Sequence, residues 1–163
     1  MVKKLTSKQD GDCPELQIRA HHLLCMEGFQ GYGYDKIFTE NLRNIIRILK
    51  EYPRIPVTII SETDEICKMC PNKSKCDGDE NLKAKDQRLI RHLNLNMRET
   101  RCYNELRSLI YEKINFKILD EICGACQWIN KCKFYLSQKE KLIEDIFLRI
   151  LHGVIENENT RIF

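Results

Sequence analysis

The chain reads as a mainly α protein with one or two short strands, a single compact domain organised around cysteine-rich loops. Three observations carry that reading. Several stretches place apolar residues at helical intervals. One short run is β-branched throughout. One cysteine motif occurs twice. At 163 residues the chain is long enough to bury one core without disulfide staples.

Residues 1–16 are polar and read as a flexible N-terminal segment, with Cys13 in a Gly-Asp-Cys-Pro turn. A short helix is expected over 20–28. Gly28, Gly31 and Gly33 alternate with Phe29, Tyr32 and Tyr34, which predicts a tight irregular loop, structural in the first instance and a substrate lid in the second. Asp35 is placed to cap a helix over about 36–51, whose Phe38, Leu42, Ile45, Ile46 and Leu49 share one face. Pro53 and Pro56 end it. Residues 57–60, Val-Thr-Ile-Ile, read as a strand. A further helix is expected over 80–93, through Leu82, Leu89, Ile90 and Leu93. A polar break at 94–101 follows, then a helix over 103–115 through Tyr103, Leu106, Leu109, Ile110 and Ile114. A helical turn at 117–122 delivers the second cysteine loop.

The C-terminal segment has the strongest periodicity. Ser137 and Glu140 match a capping box, and the pairs Leu142/Ile143, Ile146/Phe147, Ile150/Leu151 and Val154/Ile155 follow four apart. So wide a stripe predicts a broadly buried face, covered by the rest of the domain or by a second copy in a homodimer. The organisation along the chain is therefore a flexible segment at 1–16, a cysteine-rich domain at 17–132, and a helical extension at 133–163 packed on that domain.

Formal net charge is +3, with both signs interspersed, which argues against nucleic acid as a partner. The apolar runs are too short to span a bilayer, and the first residues lack the apolar core of a secretory signal. A cytoplasmic location is the expectation. Nine cysteines in such a chain then point to metal or redox chemistry before disulfides.

The repeat is specific. Residues 64–70, Asp-Glu-Ile-Cys-Lys-Met-Cys, end at Lys75-Cys76. Residues 120–126, Asp-Glu-Ile-Cys-Gly-Ala-Cys, end at Lys131-Cys132. Seven of thirteen positions agree, and each copy is C-x2-C-x5-C. Scattered core cysteines do not repeat intervals. Cys67, Cys70 and Cys76 form one candidate ligand set and Cys123, Cys126 and Cys132 the other. A zinc ribbon would use Cys67, Cys70, Cys123 and Cys126 and leave the matched Cys76 and Cys132 idle. A three-cysteine loop with one remote ligand is instead a way to hold a [4Fe–4S] cluster.

Candidates for the remote ligand lie in His21-His22-Leu23-Leu24-Cys25. His21 and His22 are one helical turn from Cys25. Cys25 can complete one centre; a histidine can complete the other, or sit just behind the ligands and tune them. Trp128 lies within the second loop and is suited to shield a centre from solvent. Cys13 and Cys102 stand outside the repeat and read as free thiols. No Gly-rich phosphate loop is present, nor the C-x3-C-x2-C spacing of radical S-adenosylmethionine enzymes.

The segments Arg19-Ala20-His21-His22-Leu23-Leu24-Cys25, Gly31-Tyr32-Gly33-Tyr34, Asp64-Glu65-Ile66-Cys67 and Cys123-Gly124-Ala125-Cys126-Gln127-Trp128 together resemble the domain-of-unknown-function 1284 family. These are small prokaryotic proteins described as iron–sulfur-binding. The likeness covers roughly 17–132. It implies that Cys25, Cys67, Cys123, Cys126, Cys132, His21, His22 and Trp128 belong to a shared pattern. It implies no reaction.

The reading that follows is an iron–sulfur protein with one or two [4Fe–4S] clusters, serving electron transfer or redox sensing with a partner protein or small-molecule substrate that the sequence does not name. The alternatives are a zinc-stabilised module binding protein or RNA, and an enzyme whose cluster keeps an open iron.

Overall fold

A computed structural model describes residues 15–76 and 79–159, with side chains through 151. Cys13 and the Val154/Ile155 side chains lie outside the described residues. The chain runs β1 (Leu16–Arg19), α1 (His22–Gly28), α2 (Lys36–Glu51), β2 (Pro56–Ile60), α3 (Lys73–Cys76), α4 (Glu80–Leu93), β3 (Thr100–Cys102), α5 (Tyr103–Lys113), α6 (Phe116–Cys123) and α7 (Lys133–Asn159). It is mainly helical around a small sheet of order β1-β2-β3. β1 pairs parallel with β2 from Leu16↔Val57 to Arg19↔Ile60, and β2 pairs antiparallel with β3. A parallel pair needs a crossover, and α1 and α2 provide it.

Local chemistry sets the helix ends. Asp35 accepts from the Phe38 N–H at 2.7 Å, Asp79 from Asn81 at 2.8 Å, and Asn115 from Ile118 at 3.1 Å, each satisfying an orphan donor of the first turn. Asn94 ends α4 in the left-handed conformation, φ 58°, a state Asn tolerates better than most residues.

Two strands were not legible in the sequence. Residues 16–19, between the polar segment and the expected helix, carry no strand signal, yet they form β1, whose Ile18 and Arg19 are both buried. The polar break at 94–101 runs into β3, an edge strand with exposed Thr100 and Arg101. Four- and three-residue strands are too short to display a period. α1 starts at His22, two residues later than expected.

One core gathers Ile18, Leu24, Leu49, Ile59, Leu89, Leu93, Leu106, Ile110 and Leu119 from most of the elements. Ile66 and Ile122, the isoleucines of the two Asp-Glu-Ile motifs, are each 1% exposed. Both cysteine loops are thus anchored in the core immediately before their first cysteine.

α7 departs from expectation in two ways. It begins at Lys133, so Ser137 lies inside the helix and donates to the Phe134 carbonyl rather than capping. Its first turn packs on the domain through buried Phe134, but the apolar stripe does not. Ile143, Ile146, Phe147 and Ile150 are 48–60% exposed. Periodicity identifies an apolar face; it does not supply the surface that covers it.

These contrasts predict unequal responses to truncation. Leu106→Ala should cost about 2–5 kcal/mol in urea unfolding through a core cavity. Phe147→Ala should stay within about 0.5 kcal/mol if nothing covers it; equal effects would contradict the burial described.

Candidate metal centre

The backbone of the repeat is duplicated as well as its sequence. In the first loop Cys70 N–H donates to the Cys67 carbonyl at 3.0 Å, Lys73 to Cys70 at 3.2 Å, and Lys75 to Asn72 at 2.9 Å. In the second, Cys126 donates to Cys123 at 2.8 Å, Ile129 to Cys126 at 3.1 Å, and Lys131 to Trp128 at 2.9 Å. Each C-x2-C is a single turn that aims both thiols to one side, and a second turn returns the third cysteine.

Both loops open onto one cavity of about 380 Å³. Cys25, Cys67, Cys70, Cys76, Cys123, Cys126 and Cys132 all line it, with His21, His22 and Trp128. Every site residue singled out from the sequence therefore borders the same space. Cys102 does not border it and belongs to β3.

Cys25 stands with the second triplet. Its thiol is pushed well above its ordinary pKa by burial first, then by Cys123, Cys126 and Cys132 beside it. By surface area Cys25 is exposed, but that surface faces the cavity, where surrounding protein limits hydration. Burial, with Cys126 and Cys132, pushes Cys123 to about 12. Lys85 lines the cavity and opposes these rises at both Cys25 and Cys123. Cys132 has a dedicated recess: a Cβ on Gly28 would fall on its sulfur, closer than any real contact allows. Glycine at 28 lets the end of α1 approach the second loop.

The first triplet has different surroundings. Cys67 is the buried member of the set, 5% exposed, although its loop has the more polar sequence. Lys68 pairs with Glu65 at 2.6 Å instead of facing the thiols. Burial, then Asp64, pushes Cys67 to about 12. Asp64 accepts from the Cys67 N–H at 2.9 Å, from the Arg19 N–H at 2.8 Å and from His22 Nδ1 at 2.7 Å. Burial would raise its pKa, but the charge and hydrogen bond of His22 and the two backbone donors outweigh that and hold it below the usual carboxylate range.

A second buried carboxylate repeats the arrangement. Asp86 of α4 accepts from His21 Nδ1 at 2.7 Å, from the His21 N–H at 3.0 Å and from Arg19 Nε at 2.7 Å. Burial, then His22, lowers His21 to about 4, against the pull of Asp86, so its ring is neutral at neutral pH. In both histidines the carboxylate engages Nδ1 and leaves Nε2 for a ligand, the arrangement used to orient metal-binding imidazoles.

Tyr32, Tyr34 and Trp128 also line the cavity. Trp128 meets Tyr34 edge-on at 6.0 Å, and Lys131 Nζ lies 4.2 Å over the Tyr32 ring. Gln30 donates to the Lys131 carbonyl at 2.9 Å. The glycine-aromatic loop thus clasps the second cysteine loop.

The donor set fits a metal group. His22, Asp64 and Cys67 present ligand atoms within 4.8 Å of one another, and among the described residues they are the one such group of three.

The family model described as "Protein of unknown function (DUF1284)" matches residues 33–132. The chain belongs to this family. The DUF1284 match contains both cysteine triplets and starts after His21, His22 and Cys25, so it is shorter at its N-terminal side than the likeness read from the sequence. No curated protein and no solved structure matches the chain. No helix among the described residues is long and apolar enough to cross a membrane.

Sequence reasoning missed the roles of Arg19, Gly28, Asp64, Lys85 and Asp86. Asp64 carried a signal, since the motif repeats its aspartate three residues ahead of a cysteine, the spacing at which a carboxylate reaches a backbone N–H. Asp86 gave none, sitting on a helix among other charges.

Gly28→Ala should improve helix propensity by up to about 1 kcal/mol yet lower stability and metal content, because Cys132 must move. A stabilised variant with unchanged metal content would contradict the recess. In metal-free folded protein, Cys67 and Cys123 should be alkylated at pH 8 at least about a hundredfold more slowly than in urea, with rates climbing as pH rises and thiolate forms. Peptide mapping after timed iodoacetamide treatment measures this, and equal rates in the folded and unfolded chain would exclude it.

Proposed function

We propose that Cys25, Cys123, Cys126 and Cys132 hold a [4Fe–4S] cluster and that the protein transfers or senses electrons through it. The observation that carries this reading is Cys25: it brings a fourth thiol, from a different element, to the cavity wall formed by the second triplet. Four thiols match the ligand requirement of such a cluster. A three-cysteine C-x2-C-x5-C loop completed by one remote thiol is the ligand pattern that favours a cluster here over one zinc ion. When bound, the cluster supplies one-electron chemistry.

The chain's own residues serve that role in distinct ways. Lys85 offsets thiolate charge. Trp128 and Tyr34 limit solvent access. His21, kept neutral and oriented by Asp86, presents Nε2 toward the same space.

Anaerobic purification with metal and acid-labile sulfide analysis tests the reading. About four irons and four sulfides per cluster are expected, with visible absorption that bleaches on reduction. Cys25→Ser and Cys126→Ser should each abolish most of that absorption. Zinc without sulfide in the wild-type protein would replace this reading with a zinc-stabilised module.

A further inference from the structure

We propose that His22 and Cys67, closed by Cys70 and Cys76, form a second and separate centre for a single divalent ion of the zinc class, with Asp64 as the residue that positions both principal ligands. This does not depend on the cluster reading. His22 and Cys67 are the two proposed ligands that, together with an oxygen of Asp64, lie within 4.8 Å of one another, and Cys70 and Cys76 join them on the cavity wall.

Asp64 acts from behind the ligands. It does not border the cavity that His22 and Cys67 line. One of its oxygens receives the Cys67 N–H at 2.9 Å and the other receives His22 Nδ1 at 2.7 Å. A single buried carboxylate thus fixes the backbone of one ligand and the ring of the other, and His22 Nε2 is the nitrogen left for the ion. The 2.8 Å bond from the Arg19 N–H and the side chain of Asn41, which donates to the Glu65 carbonyl at 3.1 Å, hold the turn on both sides. Cys70 and Cys76 border the same cavity, and three cysteines with one histidine make a closed zinc set.

The second copy of the motif lacks this arrangement. Its aspartate, Asp120, accepts from the Tyr135 hydroxyl at 2.5 Å and so ties α6 to α7. Equal cysteine spacing in the two copies therefore meets different partners.

The test is metal and sulfide stoichiometry of the full chain by native mass spectrometry and elemental analysis, followed by titration of metal-depleted protein with Co2+ alone. One ion without accompanying sulfide is expected, lost in His22→Ala and Cys67→Ser while iron and sulfide stay unchanged. Asp64→Asn, which keeps both ligands, should weaken Co2+ binding about 10–100-fold without removing the thiolate-to-cobalt band. Cys67, Cys70 and Cys76 should resist alkylation in the loaded protein. Loss of iron and sulfide together in Cys67→Ser would overturn the proposal, as would free alkylation of the three cysteines in loaded protein or unaltered Co2+ affinity in Asp64→Asn. Absence of sulfide alone would defeat the cluster reading and leave this one standing.

Discussion

Two buried carboxylates grip one short segment, and the candidate site depends on that grip. Asp64 and Asp86 are 3% and 0% exposed, and between them they bind the backbone and side chain of Arg19, the backbone and ring of His21, and the ring of His22. A buried charge without partners is strongly destabilising, whereas this network leaves no buried side-chain polar atom unpaired among the described residues. The chain therefore cannot slide or rotate at the junction of β1 and α1 without exposing or orphaning a charge. Both histidines and Cys25, three residues beyond, are placed by that constraint.

The network also joins parts of the chain that are far apart in sequence. Asp64 belongs to the first cysteine loop and Asp86 to α4, and Arg19 reaches both. On the other side of α1, Glu27 accepts from Tyr103, Arg107 and Tyr111, which fixes α1 to α5. α1 is seven residues long and would not persist alone; it is held by polar clamps at its start and its end. Gly28 then allows the second loop to close against it.

The duplicated loop meets unlike surroundings in its two copies. The turns of the two copies follow the same hydrogen-bond pattern, and their isoleucine anchors are equally buried. The difference lies in what each loop meets: Cys25 and Lys85 for the second, His22 and Asp64 for the first. α7 is a further asymmetry, rooted by Phe134 beside the second loop and carrying an exposed apolar face outward.

The sequence by itself determined the family, the mainly α class and the helices α2, α4, α5 and α6, because caps such as Asp35 and runs such as Phe38 to Leu49 act over a few residues. It also identified the cysteines, since their spacing is a local covalent fact. β1 and β3 were illegible because strands of four and three residues exist only through their partner, β2. The exposure of Ile146 and Phe147 was illegible because a period says which residues share a face and nothing about what that face meets. Only the tertiary structure decided that both triplets open onto one cavity, that Cys25 joins the second, and that Asp64 and Asp86 aim the histidines. Those are relations between groups 42 to 67 residues apart in the case of the carboxylates, and pairing at such separations is set by chain packing rather than by any pattern along the chain.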